Sequence, residues 1–134
     1  MIVLDSSAWI EFAVCGRRER DVGSYFDARS EIITPSVVVY EVVKYFLRVA
    51  GESVADEAQE AMRSTRIVAP GESTAVLAAR LSLAHRLPMA DALILATARE
   101  QGAQVVTLDG HFAGIHDAVY LSPEGEEADQ GLPS

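Results

Sequence analysis

A chain of 134 residues fits one compact domain that buries roughly two thirds of its surface on folding. Hydrophobic residues make up 49% of it, which excludes an intrinsically disordered chain, and no apolar run approaches the ~20 residues of a membrane span. The net charge of −9 argues against nonspecific duplex DNA binding, which relies on phosphate neutralisation by Lys and Arg; a nucleic-acid substrate stays open where a bound metal supplies positive charge.

The opening MIVLD reaches an acid at position 5, unlike a signal peptide, and predicts a strand over Ile2–Leu4 with Asp5 directly behind it. Cys15, the lone cysteine, cannot form an internal disulfide, which suits a reducing cytoplasm; it reads as a small packed apolar residue. Three- and four-residue spacing predicts a short helix over Tyr25–Ala28, and Ile32–Thr34 reads as the second strand. After Pro35, Ser36 is a candidate N-cap for a helix over Val37–Arg48, in SVVVYEVVKYFL. The valines suit a strand, but the run is too long for one. On a helix Glu41 shares a face with Val37, Val38, Lys44 and Tyr45. Either Glu41 pairs with Lys44 on a partly wet face, or a site needs its charge.

Gly51 marks a helix stop, and a helix over Ala55–Met62 leads to a third strand, Ile67–Ala69. A helix over Thr74–His85 follows, with His85 as a helix-end residue. Pro88 then opens a helix over Ala90–Glu100 whose first turn holds Asp91. Gly102 is the next stop; Val105–Leu108 and Val119–Leu121 are the last strands, and Asp109 follows the fourth directly. From Pro123 the chain carries Glu124, Glu126, Glu127 and Asp129 among glycines and prolines. Residues 1–122 therefore form the domain and 123–134 an acidic flexible tail, outside which sixteen acids face eleven bases.

Strand–helix alternation with apolar strands predicts an α/β fold: one central parallel sheet of about five strands, flanked by helices on both faces. In such a sheet ligands bind beyond the carboxyl ends of the strands. Asp5, Glu41, Asp91 and Asp109 all fall on that edge. Singly, each has a structural account: Asp5 caps a helix, Asp91 complements a helix dipole, Asp109-Gly110 makes a turn. Together they conflict, since two carboxylates ~4 Å apart repel by about 4 kcal/mol at an effective dielectric of 20. A bound Mg²⁺ or Mn²⁺ turns the same set into an oxygen-rich site of the kind those ions prefer. His111 lies close enough to Asp109 to belong to the rim of that site. No zinc-ligand spacing, G-x-S-x-G elbow or glycine-rich phosphate loop is present. A phosphotransfer receiver expects a paired acid near the first strand and a late lysine, whereas Lys44 is the only lysine; a haloacid-type site expects Asp where Ser7 stands.

The segments MIVLDSSAWIEF, TPSVVVYEVV and LPMADALILATAREQGAQVVTLDGHF, in that order and spacing, resemble the PIN-domain nucleases. Among these, the chain is most similar to the short VapC-type toxins of bacterial toxin–antitoxin pairs, across residues 1 to 122. Carried over by position, Asp5, Glu41, Asp91 and Asp109 match the four acids of the family, with Ser7 and Thr107 as polar companions. Some relatives carry a further acid just after the fourth; here Gly110 and His111 stand in its place.

The resemblance implies a metal-dependent endoribonuclease using Mg²⁺ or Mn²⁺, with Asp5, Asp91 and Asp109 as ligands and Glu41 on the metal or on the attacking water. It implies an RNA substrate cut to a 5′-phosphate and a 3′-hydroxyl, a homodimer, and a small antitoxin whose arginine reaches the acidic pocket. Arg17, Arg18, Arg20, Lys44, Arg48 and Arg86 are candidates for guiding RNA phosphates, against the alternative of solvated helix faces. Tyr40, Tyr45 and Phe46 are candidate interface residues, and Trp9 and Phe12 read as core. The competing function is a non-catalytic PIN-like module that binds RNA or protein.

Overall fold

The structure is a computed structural model and describes residues 1–123. Its strands are β1 (Ile2–Leu4), β2 (Ile32–Pro35), β3 (Arg66–Val68), β4 (Gln104–Thr107) and β5 (Ala118–Tyr120). All pair in parallel, in the order β3-β2-β1-β4-β5. The chain therefore winds outward from β1 to β2 and β3, then crosses back to lay β4 and β5 on the other side. The winding direction reverses between β1 and β4, and open α/β sheets place their ligand crevice at such a point.

The helices are α1 (Ser6–Ala13), α2 (Glu19–Gly23), α3 (Ser36–Val49), α4 (Glu52–Arg63), α5 (Glu72–His85) and α6 (Met89–Glu100). Two 3₁₀ segments, Ser24–Glu31 and Gly110–Phe112, complete the described elements. Val3 and Leu4 of β1 and Val105 and Val106 of β4 are wholly buried. Helix α6 is buried on most of its circumference, from Asp91 and Ala92 through Ile94 to Ala98, as expected for an interior helix of small and aliphatic residues. Its N-terminus thus reaches the crevice from inside the fold. Among the described residues no helix is long and apolar enough to cross a membrane.

Several expectations change. The helices α1 and α2 are absent from the sequence-based assignment, because Ser6 and Ser7 are weak helix formers and α2 is only one turn long. Tyr25–Ala28 belongs to a 3₁₀ segment interrupted at Ala28, whose φ of −121° and ψ of 65° are not helical. Ser36 is the first residue of α3 and makes no capping bond; extended Pro35 occupies the cap position. Cys15 is exposed and left-handed (φ 55°), ending the turn after α1, so it is not a packed core residue. The edge strand β3 exposes Arg66 and Ile67, so apolar burial holds for the central strands only. The predicted tail, beyond Pro123, lies outside the described residues.

Arg18 requires a further correction. It is buried; its Nε donates to Asp21 at 2.8 Å and its Nη1 donates to the Ser122 carbonyl at 2.8 Å. The guanidinium ties α2 to the chain after β5 and is not presented to a phosphate. Trp9 is core as expected, edge-on to Phe26 at 4.8 Å, while Phe12 stacks on the same ring at 4.6 Å. Phe46 is likewise buried.

Candidate functional site

Asp5 is the first residue past β1 and the N-cap of α1, where its Oδ1 accepts from the Ala8 amide at 3.0 Å. The capping account and the site account therefore describe the same carboxylate. Its backbone N–H continues the ladder to the Val106 carbonyl at 3.2 Å, which sets Asp5 beside Thr107 at the end of β4. Ser7 Oγ donates to Asp5 Oδ1 at 2.6 Å, and Thr107 Oγ1 donates to Oδ2 at 2.5 Å. Each hydroxyl has one proton, and both are spent on Asp5. Their lone pairs accept from backbone: Leu108 N–H to Ser7 at 2.9 Å and Asp109 N–H to Thr107 at 2.9 Å. The 3.3 Å approach of Ser7 to Thr107 is then close packing between two committed donors.

Burial raises the Asp5 pKa to about 7, against the lowering effect of the Ser7, Thr107 and Ala8 donors, and repulsion from Asp91 adds to the rise. Thr107→Val removes one of those donors at nearly constant volume. It is expected to destabilise the fold by about 1–3 kcal/mol, the cost of leaving a buried polar group unpartnered, and to move the Asp5 pKa further up. Denaturant melts and carboxyl ¹³C titration read the two effects.

Asp91 enters from the first turn of α6, and its pKa is raised to about 6, first by burial and then by the charge of Asp109, with Glu41 contributing. Asp109 caps the 3₁₀ turn Gly110–Phe112, its Oδ1 accepting from the His111 amide at 2.9 Å. Fully buried Phe112 anchors the far side of that turn and so fixes where His111 points. His111 Nδ1 lies 3.0 Å from Asp91 Oδ2 and 3.0 Å from Asp109 Oδ1. The two carboxylates raise its pKa, Asp109 first by charge.

One ligand atom from each of Asp91, Asp109 and His111 falls within 4.8 Å of the other two. Asp5 and Glu41 stand outside that tight group, though Asp91 repels the Asp5 carboxylate and Glu41 repels that of Asp91. Glu41 lies half-buried on α3, and its Oε1 accepts from Ser6 Oγ at 2.9 Å. Of the two alternatives for Glu41, the pair with Lys44 is not made: Lys44 Nζ sits 3.2 Å from the Tyr40 hydroxyl and over its ring.

Residues 2–117 match the sequence profile of the PIN domain. The chain belongs to the PIN-domain family. Comparison with curated protein sequences gave no match. Among solved structures, the PIN domain here is similar to a toxin–antitoxin complex from Klebsiella pneumoniae (TM-score 0.76, 22% identity), covering 93% of this chain and 99% of that one. It is also similar to VapC20 of Mycobacterium tuberculosis, a sarcin–ricin loop cleaving toxin (0.72, 18%, 87% and 96%). A third likeness is to DNA-bound VapBC from Salmonella typhimurium (0.68, 16%, 90% and 97%). At these identities the likeness establishes the fold.

Two residues of this PIN-domain site escape the sequence reading or gain weight over it. Ser6, which holds Glu41, was not singled out; its place directly after Asp5 was the available signal, but only the packing of α1 on α3 brings it to position 41. His111 moves from the rim into the tight group. Of the cationic candidates, Lys44 and Arg48 line a surface groove with Ile10, Tyr40, Glu41 and Tyr45, next to the site. Arg17 and Arg86 are exposed, the latter as the left-handed cap of α5.

Proposed function

We propose that this PIN domain is a metal-dependent endoribonuclease and the toxin of a toxin–antitoxin pair. The carrying observation is the gathering of Asp91, Asp109 and His111 at the β1/β4 crevice, with Asp5 and Glu41 in electrostatic contact. The donor set fits a divalent cation: carboxylates that repel one another, two of them raised well above the ordinary carboxylate range, gain a common counter-charge. Asp91, Asp109 and Asp5 would hold Mg²⁺ or Mn²⁺, Asp5 directly or through water. Bound there, the ion supplies an acidified water and positive charge beside the scissile phosphate.

The chain's own groups do the rest. Ser7 and Thr107 hold Asp5 in one orientation. Ser6 fixes one oxygen of Glu41 and leaves Oε2 to accept a proton from the attacking water or to join the ligand set. Lys44 and Arg48 in the adjoining groove, each seated over a tyrosine ring, favour RNA phosphates. In-line displacement then leaves a 5′-phosphate and a 3′-hydroxyl.

An antitoxin is the partner this reading calls for. The toxin–antitoxin complexes among its structural relatives support it, as does an apolar groove of about 240 Å³ lined by Trp9, Phe12, Phe26, Val42, Phe46 and Val54, which suits an amphipathic segment. A homodimer is part of the same proposal. The test is incubation of the purified chain with loop-containing RNA in Mg²⁺, Mn²⁺ or EDTA, followed by mapping of RNA ends. Metal-dependent ends bearing 5′-phosphate are the expected result. RNA binding without new ends in any metal replaces this reading with the non-catalytic binding module.

A further inference from the structure

We propose that His111 is a nitrogen ligand of the metal site, making it a mixed carboxylate–imidazole centre that favours Mn²⁺ over Mg²⁺. The inference rests on the metal-site reading above and goes beyond it, since that reading assigns the ion to Asp5, Asp91 and Asp109 and gives His111 no bond to it. A single imidazole nitrogen, Nδ1, stands 3.0 Å from oxygens of two different acids, Asp91 and Asp109. A ring N–H carries one proton lying in the ring plane, and it cannot point linearly at two acceptors. A cation shared by the three atoms satisfies all of them. For metal–donor bonds of about 2.1 Å in octahedral geometry, neighbouring donors lie about 3.0 Å apart. Both separations match that edge.

The ring is also placed in advance. Asp109 accepts from the His111 amide at 2.9 Å and buried Phe112 pins the next residue, so the exposed imidazole already lies against both acids. Position matters as much as geometry. Where an acid here would add a negative charge to Asp5, Glu41, Asp91 and Asp109, an imidazole adds a donor without one. Nitrogen donors favour Mn²⁺ and later transition ions over Mg²⁺, which prefers oxygen.

The experiment loads the full chain with Mn²⁺ and records pulsed electron-spin-echo modulation, which detects a directly bonded ¹⁴N. Wild-type protein is expected to show ¹⁴N modulation. His111→Ala is expected to lose it and to bind Mn²⁺ about 10- to 100-fold more weakly, the range for losing a group that holds a metal site together. His116→Ala and His85→Ala should keep both. His111→Asp is expected to bind Mn²⁺ without ¹⁴N modulation and with a lower Mn²⁺/Mg²⁺ affinity ratio than wild type. Bound Mn²⁺ without ¹⁴N modulation in the wild type, or modulation that survives His111→Ala, overturns the role of His111 and leaves the carboxylate site standing. No Mn²⁺ binding at all overturns both.

Discussion

Asp5→Asn is expected to lower metal-dependent RNA cleavage on the order of 10²- to 10⁴-fold, the range for removing a group that manages charge or a proton at the reacting centre. Inducible expression should show the matching change, with the wild-type chain arresting growth and the variant not. Asp5 is chosen because everything around it is built to hold a carboxylate. Two hydroxyls and an amide donate to it, and those hydroxyls are in turn oriented by the backbone of Leu108 and Asp109. Such a network is an expensive arrangement for a helix cap, which needs only the Ala8 contact.

The same substitution separates function from folding. Above pH 7 the wild-type protein buries a charge at position 5, and asparagine does not. The melting temperature of Asp5→Asn relative to wild type should therefore rise between pH 5.5 and 8, without metal. An inactive variant that follows this trend has lost chemistry. Equal cleavage by the two proteins would remove Asp5 from the mechanism.

The second large effect is on stability. Asp5 moves from an ordinary value of 3.8 up to about 7 in the folded protein, and Asp91 from 3.8 up to about 6. Between these limits the native state binds more protons than the unfolded chain, so the unfolding free energy falls as pH rises. The stabilising contribution is complete below about pH 4 and is lost through pH 6 and 7. His111, raised from 6.5, loses its contribution higher still. The Arg99–Asp117 pair has the opposite sign: bonds at 2.8 and 3.0 Å hold Asp117 below 3.8, and its contribution is lost only as pH falls through that lower range.

Metal-free protein should therefore melt progressively lower from pH 4.5 to 8. Mn²⁺ at a hundred times its Kd should restore about 2.7 kcal/mol, on the order of 10 °C for a chain of this size. Because the ion competes with protons for Asp5 and Asp91, the shift at a fixed Mn²⁺ concentration should grow from pH 5.5 to 8. Calorimetry with and without EDTA reads it. A metal-induced shift that is flat in pH, or absent, removes these two acids from the ligand set.

Several elements were legible in the residues because their signals are local. β-branched runs placed all five strands to within a residue, and Gly51 and Gly102 stand at helix ends with φ of 97° and 66°, as glycine allows. Asp5 and Asp109 were recognisable because each directly follows a buried strand of a parallel sheet, where sequence position alone implies an edge. Helix α1 was less legible, since its pattern is short and its N-terminal serines compete for the backbone.

What the chain order could not supply was partnership. Glu41 and Lys44, three residues apart, left a surface pair and a site role equally open; packing gave Glu41 to Ser6, thirty-five residues away, and Lys44 to Tyr40. Arg18 read as a free cation until the carbonyl of Ser122 claimed it. His111 read as a rim group until the turn capped by Asp109 brought its ring to Asp91. Alternation, strand ends and helix stops depend on neighbours within a few residues, so the sequence by itself determined the α/β class and the edge on which the acids lie. Which oxygen meets which nitrogen depends on β1 and β4 lying side by side across a hundred residues of chain, and that only the tertiary structure decided.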